Sequence, residues 1–348
     1  MLRSFNALKK LEEKEKYNPS ATGKKGSIFG LPFKENNSSI IIYPVPWDVT
    51  TSAHSGTANG PQSILDASVQ LDLEINGKEA PWKKGIYMIP PDQEVFETSK
   101  ELRSKVESYI EYLETVKDIS SFNQLIVDVN KNCTALKDKV FQETSFLLKN
   151  KKKVGILGGD HSVPLGFLEA LSMSFEQFGI LQIDAHMDLR KAYEGFNYSH
   201  ASIMNNALNL EAVVKLVQVG IRDYCEEEKN VTEKDKRVST YYDNQIKKSL
   251  FTGVYWVEIC DKIIEELPQQ VYISFDIDGL DPSLCTGTGT PVPGGLSFDQ
   301  AIYLLDCIKE TGREVIGFDL CEVAPKQDDQ DWNANVGARV LYHLCSLL

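Results

Sequence analysis

From Ser39 onward the chain alternates short, almost wholly apolar runs with longer stretches of mixed character. The apolar runs are Ile40 to Val45, Lys153 to Leu157, Gly179 to Ile183, Lys215 to Val219, Val271 to Phe275 and Glu314 to Phe318. A strand that is apolar on consecutive positions must be covered on both faces, as strands are in a parallel sheet packed between helices. Helical patterns fall near residues 60–70, 100–118, 131–149, 163–173, 297–310 and 333–347, with Ser297 and Asn333 as candidate N-caps. Strands alternating with helices predict an α/β fold with a doubly wound, mainly parallel sheet. Residues 1–37 are rich in Lys, Glu, Gly, Ser and Asn without a sustained apolar period, and read as a surface arm. No linker divides residues 38–348, which read as a single domain. Residues 75–150 carry mostly charged helix patterns, in which a functional face and a solvated face look alike.

Charge narrows the partners. The 348 residues hold 37 basic and 50 acidic side chains, a net charge of -13. That field repels phosphate backbones and anionic lipid surfaces and attracts cations, so neither nucleic acid nor a membrane is expected as partner. No apolar run reaches the length of a membrane helix, and Met1 to Tyr17 is laced with Lys and Glu where a signal core would be apolar. The expected compartment is the cytoplasm. Seven cysteines without a C-x-x-C pair suit reduced thiols, mostly packed as small hydrophobes.

Three segments place carboxylates or imidazoles directly after an apolar strand. They are Gly158-Gly159-Asp160-His161-Ser162, Asp184-Ala185-His186-Met187-Asp188 and Asp276-Ile277-Asp278-Gly279-Leu280-Asp281-Pro282. That position is the carboxyl edge of the sheet, where α/β folds bind ligands. Residues two apart on a strand share a face, so Asp184, His186 and Asp188 should project together, as should Asp276 and Asp278. Carboxylates crowded in this way repel one another unless a divalent cation compensates. Of only five histidines in the chain, two lie inside these motifs and His200 follows a short loop after one. Oxygen and imidazole donors without thiolate favour manganese, nickel or iron over structural zinc. His161, Asp184, His186, Asp188, Asp276 and Asp278 suffice for two ions if carboxylates bridge, and a water held between two ions becomes a nucleophile. Asp281 before Pro282 also fits a plain capped turn.

These motifs, in this order, resemble the signatures of the ureohydrolase (arginase and agmatinase) family, closest to its microbial agmatinases. The resemblance extends to Gly56-Thr57-Ala58-Asn59-Gly60-Pro61-Gln62-Ser63-Ile64, Gly287-Thr288-Gly289-Thr290-Pro291 and Asp319-Leu320-Cys321-Glu322-Val323-Ala324-Pro325, and spans roughly residues 40–348. It implies a three-layer α/β/α sandwich, two Mn2+ ions and hydrolysis of a guanidino group to urea and an amine. By the resemblance, His161, Asp184, Asp188 and Asp276 would hold one ion, and Asp184, His186, Asp276 and Asp278 the other. Asp188 would count among the catalytic groups. His200 would pass a proton to the leaving amine, as an imidazole titrating near neutrality can. Glu322 would pair with the guanidinium. The family also implies a homo-oligomer, trimer or hexamer, and Val340, Leu341, Tyr342 and Leu344 could pack inward or at a subunit contact.

Substrate choice rests on departures from the family pattern. The loop Leu189 to Ser199 lacks the Asn- and Ser-rich character with which arginases hold an amino acid, and it offers Glu194 for a terminal amine. Arg190 and Lys191 could instead meet a carboxylate. Trp47, His54 and Trp332 stand in stretches unlike agmatinases and are candidates for a different pocket lining. Agmatine is the first expected substrate. Arginine, guanidinobutyrate, guanidine and formimino-glutamate are alternatives within the enzyme class, and a catalytically silent binding subunit is the alternative outside it.

Overall fold

The computed structural model describes residues 17–21, 23–75, 77, 79–115, 120–326 and 329–348. Eight strands form its frame: β1 (Ile40–Val45), β2 (Ile86–Met88), β3 (Lys153–Gly158), β4 (Phe178–Ile183), β5 (Val213–Ile221), β6 (Val238–Tyr242), β7 (Gln270–Asp276) and β8 (Glu314–Cys321). All pair in parallel, in the order β2-β1-β3-β8-β7-β4-β5-β6. The six apolar runs are the six inner strands. Both edges lie outside the sequence reading, because β2 has three residues and β6 is half-buried and aromatic, and an edge strand is less completely covered than a central one.

The helices are α1 (Gly60–Ala67), α2 (Gln93–Thr115), α3 (Asn123–Lys149), α4 (Leu165–Ser172), α5 (Ile203–Leu208), α6 (Glu226–Lys234), α7 (Asp243–Phe251), α8 (Trp256–Glu265), α9 (Phe298–Glu310) and α10 (Trp332–Leu347). Two apolar clusters, one on each face of the sheet, make the three-layer sandwich. Helices α1, α8, α9 and α10 feed one cluster, and α2, α3, α4 and α5 the other. Helix α3 shows how pattern becomes packing: Val129, Cys133, Leu136, Val140, Thr144 and Leu147 recur every three or four residues and are the buried ones. Ser297 caps α9, its Oγ accepting from Gln300 N–H at 3.1 Å, as its sequence suggested. Asn333 does not cap α10, which begins one residue earlier behind Asp331; the N–H of Asn333 donates to Asp329 instead. Val340, Leu341, Tyr342 and Leu344 all pack into the core of their own chain.

Residues 1–16 of the expected surface arm lie outside the described residues. Its later part departs from that description, because Ile28, Phe29, Leu31 and Phe33 are buried, and Phe29 meets Tyr342 at 4.8 Å between ring centroids. Four apolar residues in six are too short a run to show a period. Among the described residues no helix is long and apolar enough to cross a membrane. All seven cysteines are free, and all but Cys225 are buried.

Candidate active site

The central strands β3, β8, β7 and β4 end side by side, and the chemistry-bearing segments leave from their carboxyl ends. The sequence reading put Asp184, His186 and Asp188 on a strand, but β4 stops at Ile183. Asp188 sits at φ 55, outside strand geometry. A turn, and not strand alternation, aims these side chains, because a strand places neighbours too far apart to surround one small volume. Asp276 closes β7, and Asp278 lies in the following 3-10 turn, where Asp276 Oδ1 accepts from its N–H at 2.8 Å.

The six side chains converge. His161 Nδ1 lies 3.1 Å from Asp184 Oδ2, 3.0 Å from Asp188 Oδ2 and 3.4 Å from Asp276 Oδ2. His186 Nδ1 lies 3.0 Å from Asp278 Oδ2 and 3.6 Å from Asp184 Oδ1. Asp184 thus stands between two groups, His161 with Asp184 and Asp188, and His186 with Asp184 and Asp278, each tight enough to hold a metal ion. Charge is held there at a cost. Burial, with Asp278 and Asp184 adding to it, drives Asp276 well above the usual carboxylate range, and burial with Asp184 brings Asp188 to about 7. Burial also opposes the charge of Asp184, yet His161 and His186 hold it below its ordinary value. Both imidazoles are raised well above theirs by these carboxylates, against burial. His161 Nδ1 and Asp278 Oδ2 are buried without a hydrogen-bond partner. Orphaned atoms of two ligand types, one in each of the two groups of a carboxylate-rich pit, fit divalent cations.

His200 and Glu322 stand beside this cluster. Glu322, at φ 65 just past β8, accepts from His161 N–H at 2.9 Å through Oε1, which also lies 3.4 Å from His200 Nδ1. Its Oε2 is buried and unpaired. A Cβ at Gly289 would come within 2.9 Å of that oxygen, so the bare glycine keeps it open. His200 Nε2 accepts from Ser52 N–H at 3.2 Å, with Ser52 Oγ also 3.2 Å away. Because a backbone N–H can only donate, the neutral ring carries its proton on Nδ1, toward Glu322. Burial lowers the pKa of His200, but Glu322 and then Asp160 and Asp188 outweigh it and raise the net value.

Above the cluster opens a cavity of about 400 Å³ lined by Ser52, His54, His186, Asp188, Arg190 and Asp223, among others. Asp223 lies at its mouth, its side chain 68% exposed and 4.0 Å from His186 Nε2. Glu194 is not among the lining residues. It sits at φ 54 in a tight turn, half-buried, its carbonyl accepting from Tyr109 Oη at 3.0 Å, and burial raises its carboxyl.

The sequence profile of the arginase family matches residues 38–346. The chain belongs to the arginase family. It is 30% identical to an N(1)-aminopropylagmatine ureohydrolase of Thermus thermophilus, over 92% of this chain and 94% of that one. An agmatinase of Neisseria meningitidis is 29% identical, over 91% and 89%. Among solved structures, the agmatine ureohydrolase of Thermoplasma volcanium superposes with a TM-score of 0.69 at 21% identity, covering 96% of both chains. The arginase of Bacillus cereus gives 0.65 at 20%, covering 88% and 98%. The sandwich seen here is therefore the arginase-family fold.

Within this family member, the remaining candidates separate. Arg190 lines the cavity but is already engaged, its guanidinium 4.6 Å over the Tyr193 ring and its Nε 3.7 Å from Glu228. Lys191 is exposed. Trp47 is buried in the core, Trp332 is 52% exposed, and His54 alone of the three lines the cavity. Sequence reasoning missed Asp160, which accepts from Thr50 Oγ1 at 3.0 Å while Thr50 Oγ1 accepts from His200 N–H at 3.1 Å. Burial and Glu322 raise Asp160 to about 6. It also missed Asp223 and the brace under Ser52, where Arg103 of α2 donates to the carbonyls of Thr51 and, at 3.5 Å, Val49. The place of Asp160 inside Gly-Gly-Asp-His-Ser was a signal for the first; nothing local pointed to Arg103.

Proposed function

We propose that this chain is a binuclear metal hydrolase that cleaves a linear guanidino cation to urea and an amine, with agmatine giving putrescine as the leading case. The observation that supports it is the convergence of six candidate ligand side chains, five buried and His186 partly so, two orphaned donor atoms among them, beneath an open cavity. His161, Asp184, Asp188 and Asp276 would hold one ion, and Asp184, His186, Asp276 and Asp278 the other. Manganese is the first choice and nickel the second. When bound, the pair supplies a water of lowered pKa for attack on the guanidino carbon. Glu322 would anchor the guanidinium through Oε2, the oxygen left free. His200 would deliver the proton that lets the amine leave, since an amine departs from a tetrahedral carbon only when protonated.

The tail of the substrate extends toward the mouth, where Asp223 offers a carboxylate to a terminal ammonium. We assign that contact to Asp223 in preference to Glu194, which lies outside the cavity lining. A mouth open to solvent also suits an agmatine lengthened by an aminopropyl group, as the name of the Thermus relative describes for that protein. A complete ligand set with His200 and Glu322 beside it argues against a catalytically silent subunit. We take the catalytic unit to be residues 38–348, assembled as a homo-oligomer, trimer or hexamer. The test is urea release with Mn2+ and then Ni2+ over agmatine, aminopropylagmatine, arginine, guanidinobutyrate, formimino-glutamate and guanidine. The expected order puts agmatine or its aminopropyl derivative first in kcat/KM, and Asp223→Asn weakens either more than a neutral-tailed analogue. Faster release from arginine or guanidine would overturn the substrate assignment and leave the hydrolase reading standing.

A further inference from the structure

Strands buried on both faces should be apolar throughout, and the central strands here break that rule in one register. Thr240 on β6 pairs with Gln218 on β5, Gln218 with Gln182 on β4, Gln182 with Ser274 on β7, and Ser274 with Asp319 on β8. Gln182, Gln218, Ser274 and Asp319 are all 0% exposed. Aligned partners in a parallel sheet project to the same face, so these five residues form one polar row across five strands, just below the strand ends that carry the site. We propose that this row, with Tyr272 behind it, is the support that orients His161 and Asp184 as metal ligands.

The row reaches two candidate ligands, Asp184 through Gln182 and His161 through Ser274. On one side Thr240 Oγ1 donates to Gln218 Oε1 at 3.0 Å, and Gln218 Nε2 donates to Gln182 Oε1 at 2.7 Å and to the Met187 carbonyl at 2.8 Å. Gln182 Nε2 donates onward to Asp184 Oδ2 at 2.8 Å and to the His186 carbonyl at 3.2 Å. The amides thus run in one direction, every oxygen accepting and every nitrogen donating toward the ligand loop. On the other side His161 Nε2 lies 2.8 Å from Ser274 Oγ and 3.6 Å from Asp319 Oδ1. Asp319 is fixed in turn, Oδ2 accepting from Tyr272 Oη at 2.7 Å and Oδ1 from Phe275 N–H at 3.2 Å. With a cation held at Nδ1, between Asp184, Asp188 and Asp276, the ring proton would lie on Nε2, where Ser274 Oγ can accept it and the Asp319 carboxylate stands 3.6 Å off. None of the five is a ligand itself; they are positioning residues.

The inference rests on the metal-site reading, and one experiment separates the two. Mn2+ affinity and stoichiometry are measured by competition with a chelator for the full-length protein and for Ser274→Ala, Asp319→Asn and Gln182→Met, alongside melting of each metal-free protein. The expected result is Mn2+ affinity lower by roughly 10- to 100-fold, the usual cost of losing a partner behind a ligand, in variants that stay folded without metal. Tyr272→Phe, which leaves Asp319 in place, should fall between these variants and the parent protein. Parent-like Mn2+ affinity in all of them, with or without lowered melting, would overturn the support role and spare the metal site. Failure of the parent protein to bind Mn2+ would overturn both.

Discussion

Asp276 carries a conflict at the scale of a single residue, a carboxyl pushed well above its usual range by burial and by Asp278 and Asp184. A cation reconciles the three acids in their ionised form, so Asp276→Asn should lower both bound metal after gel filtration and turnover. A variant that kept two ions and full activity would remove Asp276 from the ligand set. His200 has its ring between Ser52 and Glu322, away from the ligand oxygens that meet His161. His200→Ala should keep the metal and lose roughly 10²- to 10⁴-fold in kcat, the range for a lost general acid. Metal binding should also depend on pH in a defined direction. Asp188 titrates at about 7 and the two imidazoles are raised well above their ordinary value, so the metal-free site holds protons near neutrality that a cation must expel. Mn2+ affinity should rise from pH 6 to pH 8, with proton release in calorimetry; affinity flat across that interval would contradict the assignment. The six ligand candidates were legible because Asp-x-His-x-Asp and Asp-x-Asp after an apolar strand have few other uses. Gln182, a polar letter inside an apolar run, and Asp319, directly after one, were also in plain view, and that incongruity is the signal for a buried support.

At the scale of elements, the loops after β3, β4, β5, β7 and β8 make the site, and one side chain ties two of them together. Arg222, just past β5, donates through Nη2 to the carbonyls of Asp278 at 2.6 Å and Val292 at 2.9 Å, and through Nη1 to that of Gly220 at 3.0 Å. It fastens the Asp278 turn to the cavity wall. Arg222→Ala should cost about 1.5–3 kcal/mol in urea unfolding, the order for hydrogen bonds to a charged group. It should also weaken metal retention, since Asp278 loses its anchor. Gly289 acts by absence: a methyl there would meet Glu322 Oε2 and, at 2.8 Å, Thr51 Cγ2. Gly289→Ala should raise KM for the guanidino substrate roughly tenfold, about 1.4 kcal/mol of binding, with melting little changed. An unchanged KM would mean that Glu322 does not meet the substrate. The sequence had placed Asp184, His186 and Asp188 together by strand periodicity; the turn after β4 brings them together instead, a geometry that no period encodes.

For the whole molecule, the sequence expected an oligomer and offered Val340, Leu341, Tyr342 and Leu344 as one possible contact. All four are spent within the chain, where α10 packs against α1 and α9, and Leu341→Ala should therefore cost about 2–5 kcal/mol as a core cavity. The homo-oligomer proposed above predicts that light scattering returns a particle heavier than the 39.1 kDa chain at micromolar concentration. A monomer would contradict it. The charge of -13 belongs to this scale too, since it favours the approach of cations from a distance.

What the sequence alone determined is what repeats or pairs locally: six doubly covered strands, the helices with a clear apolar stripe, the Ser297 cap and the acidic and imidazole groups at strand ends. Each follows from a period of two, 3.6 or zero, or from a motif within a few residues. Tertiary structure decided the rest, for reasons of distance in the chain. The edge strands β2 and β6 exist because neighbours pair with them. Ile28, Phe29, Leu31 and Phe33 are buried by packing that reaches α10, some 300 positions later, where Phe29 meets Tyr342. Glu322 meets His161 across 161 positions, and Ser52 meets His200 across 148. The polar row needs five strands laid side by side before its members become neighbours, because a strand specifies which face a residue takes, and only the sheet specifies which residue stands beside it.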